Sequence, residues 1–141
     1  MDINQITICG RLGADLEFKS TSAGKTFAVA SVATNNRRKQ PDGSYTEDTT
    51  WHKVNIWAAG LVELLGKRDI SKGDIAYCQG RLKINKYQDR EGNDRLGVSI
   101  EVDSWGTFKT MNKPAPRAAV ASNGADATPV IDAQAEAVSW D

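Results

Sequence analysis

Turn clusters cut the first hundred residues into short runs of period-two hydrophobicity, and one segment breaks that rhythm. Ser20-Thr21-Ser22-Ala23-Gly24, Pro41-Asp42-Gly43-Ser44, Ser71-Lys72-Gly73-Asp74 and Asp89-Arg90-Glu91-Gly92-Asn93-Asp94 are built from the residues that favour turns. Between them the chain reads as extended. A first run holds Ile6 and Ile8, ends at Gly10-Arg11-Leu12-Gly13, and keeps its extended character through Leu16-Glu17-Phe18-Lys19. Strands follow over Thr26 to Asn36, Thr46 to Trp57, Ile75 to Tyr87 and Arg95 to Val102, rich in Val, Ile, Thr and Trp. The exception is Leu61, Val62, Leu64 and Leu65, whose spacing makes one apolar helical face. Gly66 weakens that helix and Lys67-Arg68-Asp69 ends it.

The element string is three strands, a short helix, then two strands. It predicts an all-β chain, a five-stranded oligonucleotide-binding (OB) barrel with the helix between strands 3 and 4, although small sandwiches share this order. Composition places the domain at residues 1–113. From Pro114 to Asp141 there are nine Ala and three of the four Pro, with few large apolar residues. Such a stretch cannot bury enough surface to offset its ordering entropy, so 114–141 is expected to be a disordered acidic tail. The formal net charge of zero hides a split: 17 basic against 14 acidic side chains in 1–113, one against four in the tail. A mildly basic body is a weak sign of polyanion binding.

Several classes drop out. No apolar run approaches the ~18 residues of a membrane span, and Met1-Asp2-Ile3-Asn4-Gln5 does not read as a signal peptide. Cys9 and Cys78 form no CxxC pair and have no histidine nearby, so neither a metal site nor a disulfide is expected. Both read as small buried apolar residues of a reducing compartment. Gly24-Lys25-Thr26 lacks the upstream glycine of a phosphate-binding loop, Lys19 standing in its place, and reads as a turn. Asp42, Glu47, Asp48, Asp89, Glu91 and Asp94 are loop carboxylates with no partner for acid–base work, and with one histidine no catalytic set can be argued. Neither catalysis nor a cofactor is expected.

Alternation carries the functional signal. On the third strand Trp51, Lys53, Asn55 and Trp57 share one face, and His52, Val54 and Ile56 the other. The fourth strand sets Arg81, Lys83, Asn85 and Tyr87 on one face against Leu82 and Ile84. Rings interleaved with cations suit single-stranded nucleic acid, whose unstacked bases each offer a π face. A duplex hides those faces. The competing reading puts either tryptophan in the barrel core with Lys53 snorkelling outward. Arg37-Arg38-Lys39, at the end of the second strand, is either a solvated charge run or a phosphate clamp beside the aromatics. His52, with no acid nearby in sequence, reads as structural or interfacial.

These residues resemble the bacterial and phage single-stranded DNA-binding proteins over about Ile3 to Phe108. The strongest pieces are Ile8-Cys9-Gly10-Arg11-Leu12-Gly13, Ala28 to Thr34, Thr50-Trp51-His52-Lys53-Val54, Lys72-Gly73-Asp74, Gly80-Arg81-Leu82 and Tyr87-Gln88-Asp89. The resemblance implies an OB fold, a homotetramer, and sequence-tolerant binding of single-stranded DNA in replication, recombination and repair, in the cytoplasm of a bacterial cell or phage-infected host. It implies stacking by Trp51, Trp57 and Tyr87 and basic contacts from Lys53, Lys72, Lys83 and Lys86, to which the alternation adds Arg81. A further family aromatic falls on Arg38, which can stack and carry charge. His52 falls at a position placed near a subunit interface. The tail departs from the family's Asp-rich Pro-Phe tip, ending instead in Val138-Ser139-Trp140-Asp141. Trp140 and Asp141 are the candidates for binding replication and repair partners. The alternative function is an OB-fold RNA-binding module. A nuclease would need converging carboxylates, and a scaffold role would rest on the tail.

Overall fold

The period-two runs become strands that close on themselves. The computed structural model describes residues 1–112; the expected boundary at 113 and the tail, with Trp140 and Asp141, lie outside the described residues. In chain order the elements are β1 (Ile6–Leu12), β2 (Glu17–Ser20), β3 (Thr26–Lys39), β4 (Tyr45–Ile56), α1 (Ala59–Gly66), β5 (Ile75–Gln88), β6 (Asp94–Val102) and β7 (Thr107–Met111). The sheet runs β1-β3-β4-β6-β5, and β1 pairs β5 to close a five-stranded barrel. All its pairings are antiparallel except β4–β6, which is parallel over Val54↔Ile100 to Ile56↔Val102. β2 adds to β3, and β7 adds to β5.

The expected fold is therefore present: mostly β, five-stranded, with one short helix between the third and fourth barrel strands. Two short strands augment it. β2 is the extended stretch after Gly13. β7 went unread because Phe108 is its one buried residue. The interior is filled by the even-numbered residues of β3, β4, β5 and β6, among them Val32, Val54, Ile56, Cys78, Ile100 and Val102, with Phe108 from β7. Val62 and Leu65 of α1 are buried against this core, as the helical spacing predicts.

Cys78 is buried, and burial pushes its thiol up to about 12, so it stays a neutral apolar residue. Cys9 corrects the reading: it is exposed, because β1 turns Ile6 and Ile8 inward and so sets Cys9 outward. Closure requires strands to cross tightly. A Cβ on Gly10 would lie 2.1 Å from the Ala33 carbonyl oxygen, and one on Gly80 2.4 Å from that of Glu101. No helix among the described residues is long and apolar enough to cross a membrane.

Candidate nucleic-acid interface

The parallel β4–β6 pairing joins the two faces that the alternation singled out. Register puts Asn55 beside Glu101, and Glu101 beside Arg81. The outer surface is therefore continuous from Trp51, Lys53 and Asn55 on β4 and Trp57 just after it, across Ser99 and Glu101 on β6, to Arg81, Lys83, Asn85 and Tyr87 on β5.

Trp51 is 61% exposed, which excludes it from the core. Its ring lies against Gly13, where a Cβ would come within 2.2 Å of a ring carbon. It also walls an open groove of about 460 Å³ with Arg11, Ala33, Asn35 and Thr49. The Lys72 turn is held nearby, since Gly73 donates to the Leu12 carbonyl and Lys72 N–H to Asp15. Lys53 is exposed beside Trp51. Trp57 is half-buried. Its ring stacks on Phe27 at 4.3 Å between centroids and 21° between planes, and the Lys25 ammonium stands 5.4 Å from its centroid. Tyr87 is exposed and rests over Gly97, where a Cβ would meet its ring edge at 3.4 Å. Arg81 pairs with Asp103 at 3.0 Å.

Two named candidates take the opposite parity. Arg38 pairs Thr46 in the β3–β4 ribbon and falls in step with Val32, whereas Arg37 is in step with Ala33, the partner of Trp51. Arg37 stacks its guanidinium 4.3 Å from the Tyr45 ring. Lys86 pairs Leu96 and is in step with Ile84. His52 lies on the face opposite Trp51, part-buried, with Nε2 2.8 Å from the Thr34 hydroxyl. The loop carboxylates Asp42 and Asp89 close turns. Asp42 accepts from Ser44 N–H and Oγ, and Asp89 from the N–H groups of Glu91 and Asn93. Those bonds, at Asp89 chiefly the Asn93 N–H together with the Arg95 guanidinium at 3.0 Å, hold both carboxyls below the usual aspartate range.

Sequence reading missed Lys25, Tyr45, Arg37 as a stacking group, and above all Glu101. Glu101 is 3% exposed although it faces outward. It accepts hydrogen bonds from Asn55 Nδ2 (2.9 Å), Ser99 Oγ (2.7 Å) and Trp57 Nε1. Burial pushes its carboxyl up; the three hydrogen bonds and the Lys83 charge outweigh this and hold it below the ordinary glutamate range. A lowered folded-state value stabilises the fold above the unfolded value, and that stabilisation disappears as pH falls through the folded one. Urea midpoints should therefore drop as pH is lowered below about 4.3, and E101Q should flatten that part of the profile.

The strand order, the single parallel pairing and the helix between β4 and β5 define an OB fold. Comparison with known proteins narrows this. Residues 3–108 match the model of the single-strand binding protein family, and the chain belongs to that family. It is 31% identical over 110 residues, 77% of its length, to a single-stranded DNA-binding protein of Rhizobium meliloti. It is 34% identical over 101 residues, 72% of its length, to one of Xylella fastidiosa. These matches span 63% and 60% of the respective relatives. A structure titled "Plasmodium falciparum SSB complex with ssDNA" superposes with a TM-score of 0.71 at 24% identity, covering 79% of this chain and 97% of the other, a likeness of fold.

Proposed function

We propose that this chain is a non-catalytic binder of single-stranded DNA that tolerates any base sequence and protects exposed strands during replication, recombination and repair. One observation carries the reading: rings and cations share one continuous outer surface over β4, β6 and β5. Trp51, Trp57 and Tyr87 supply π faces, and Lys53, Lys72, Arg81 and Lys83 supply charge between and beside them. Stacking on aromatic side chains contributes about 1–3 kcal/mol per base in single-strand binders as a class. The relatives named for single-stranded DNA binding support the same substrate. By register, Arg37 with Tyr45 is better aligned with this face than Arg38, so the ribbon would extend the strand's path through that pair.

A homotetramer is part of the proposal. Beyond the barrel, Leu82 and Ile84 of β5 and Leu96 and Val98 of β6 leave an apolar patch exposed on the side opposite Tyr87, where a second copy would cover it. His52 shares the inward parity, in keeping with an interfacial role. For Trp140 and Asp141 we propose contact with replication or repair proteins, and for the protein a cytoplasmic site of action.

Titration with oligo-dT, read by tryptophan fluorescence at several salt concentrations, tests the function. Strong quenching is expected, with little for a matched duplex. Four or five phosphate contacts give a slope of log affinity against log salt of about −3. Equal quenching by duplex would remove the stacking model. A matched RNA strand that outcompetes DNA would assign the surface to RNA instead.

A further inference from the structure

Glu101 is out of place on the surface described above. It puts a negative charge at the centre of a face built from cations, rings and neutral polar groups, where a phosphate would be repelled. It is also buried, and burying a carboxylate is costly unless its hydrogen-bonding capacity is used. Here that capacity is used by three donors: the indole N–H of Trp57, the amide of Asn55 and the hydroxyl of Ser99. A carboxylate is the side-chain group that accepts from all three without donating in return. A glutamine of the same shape would turn an NH₂ toward at least one of these donors.

Two restraints then act on Trp57 at once. Phe27 covers one face of the indole, and Glu101 holds its edge. A ring held at one face and one edge is set in a single orientation before any ligand arrives, with the Lys25 ammonium 5.4 Å from its centroid. The same carboxylate orients Asn55 with Nδ2 inward, which leaves Oδ1 as its group for a base N–H.

We infer that Glu101 is a positioning residue for single-strand binding. It acts through Trp57 rather than by touching the strand, and it keeps the centre of the surface for bases while the phosphates follow Lys53, Arg81 and Lys83 at its margins. The inference rests on the single-strand reading above. Its sign is distinctive. Removing a negative charge from a phosphate-binding surface should raise affinity if charge alone matters, whereas loss of positioning lowers it.

The experiment compares wild type, E101Q, W57A and the double variant, as full chains, on oligo-dT. The Trp57 indole N–H resonance is followed in parallel. With E101Q that resonance is expected to move while that of Trp51 stays, and affinity to fall about 10-fold, the scale of a hydrogen bond to a charged group. In the W57A background E101Q should add little, because its effect passes through the ring. Unchanged or increased affinity in folded E101Q, or an equal loss with and without Trp57, overturns the positioning role while leaving single-strand binding intact. A wild type that does not bind oligo-dT overturns the single-strand reading itself. Should E101Q fail to fold, Trp57→Phe keeps an aromatic face, smaller by the fused five-membered ring, and removes the N–H. It should weaken binding, and wild-type affinity in that variant would equally overturn the inference.

Discussion

Replacing Trp51 and Trp57 together with alanine is expected to weaken oligo-dT binding by about 2–6 kcal/mol, roughly 30-fold to 10⁴-fold, if each ring carries one stacked base. The two rings contribute to the fold differently, and this makes the experiment interpretable. Trp51 is largely exposed, so W51A alone should lose its share of affinity with little change in the urea midpoint. Trp57 stacks on Phe27 and satisfies part of a buried carboxylate, so its removal also costs stability. Circular dichroism on each variant separates the two effects. A further variant leaves both rings in place: a side chain at Gly13 collides with the Trp51 ring, so Gly13→Val should displace it and weaken binding nearly as much as W51A. A folded double variant with wild-type affinity would remove this face from the site.

Much of this face could be read directly from residue order. Strand geometry alternates side chains whatever the tertiary context, so Trp51 and His52 on opposite faces followed from position alone, while burial in the barrel decides that the Trp51 face is the outer one. The helix was legible for a similar reason, since Leu61, Val62, Leu64 and Leu65 carry a local 3.6-residue signal. What joins the two faces was not local. β4 and β6 meet in parallel across more than forty residues, and no turn or motif announces that pairing. Glu101 was hidden by the same fact, because its donors Asn55 and Trp57 arrive from the end of β4 and the residue after it. Cys9 was misread from the general tendency of cysteine to be buried, where the outward phase of β1 decides. Arg38 and Lys86 came from family positions, and register sets both out of step with the rings nearest them.

The β5–β6 hairpin is where the largest effect on assembly is expected. Ile84 is 58% exposed and Leu96 64%, and with Leu82 and Val98 they continue the core-facing parity past the end of the barrel. Residues on that parity would face a hydrophobic interior if the barrel were longer. In the proposed assembly a second copy takes that place. A two-fold contact uses every residue twice, so Ile84→Asp with Val98→Asp changes four positions per interface. At about 1.5–3 kcal/mol for each buried aliphatic side chain, this removes roughly 6–12 kcal/mol, before counting the cost of four charges brought together. Sedimentation should then show a multimeric wild type and a variant of single-chain mass, 15.3 kDa. The rings lie on the opposite parity, so the separated chains should keep their affinity for short oligo-dT. They should lose the extra affinity for long strands that linked sites provide. A wild type that sediments as one chain at tens of micromolar, or a variant that remains assembled, would place the subunit contact elsewhere or remove it.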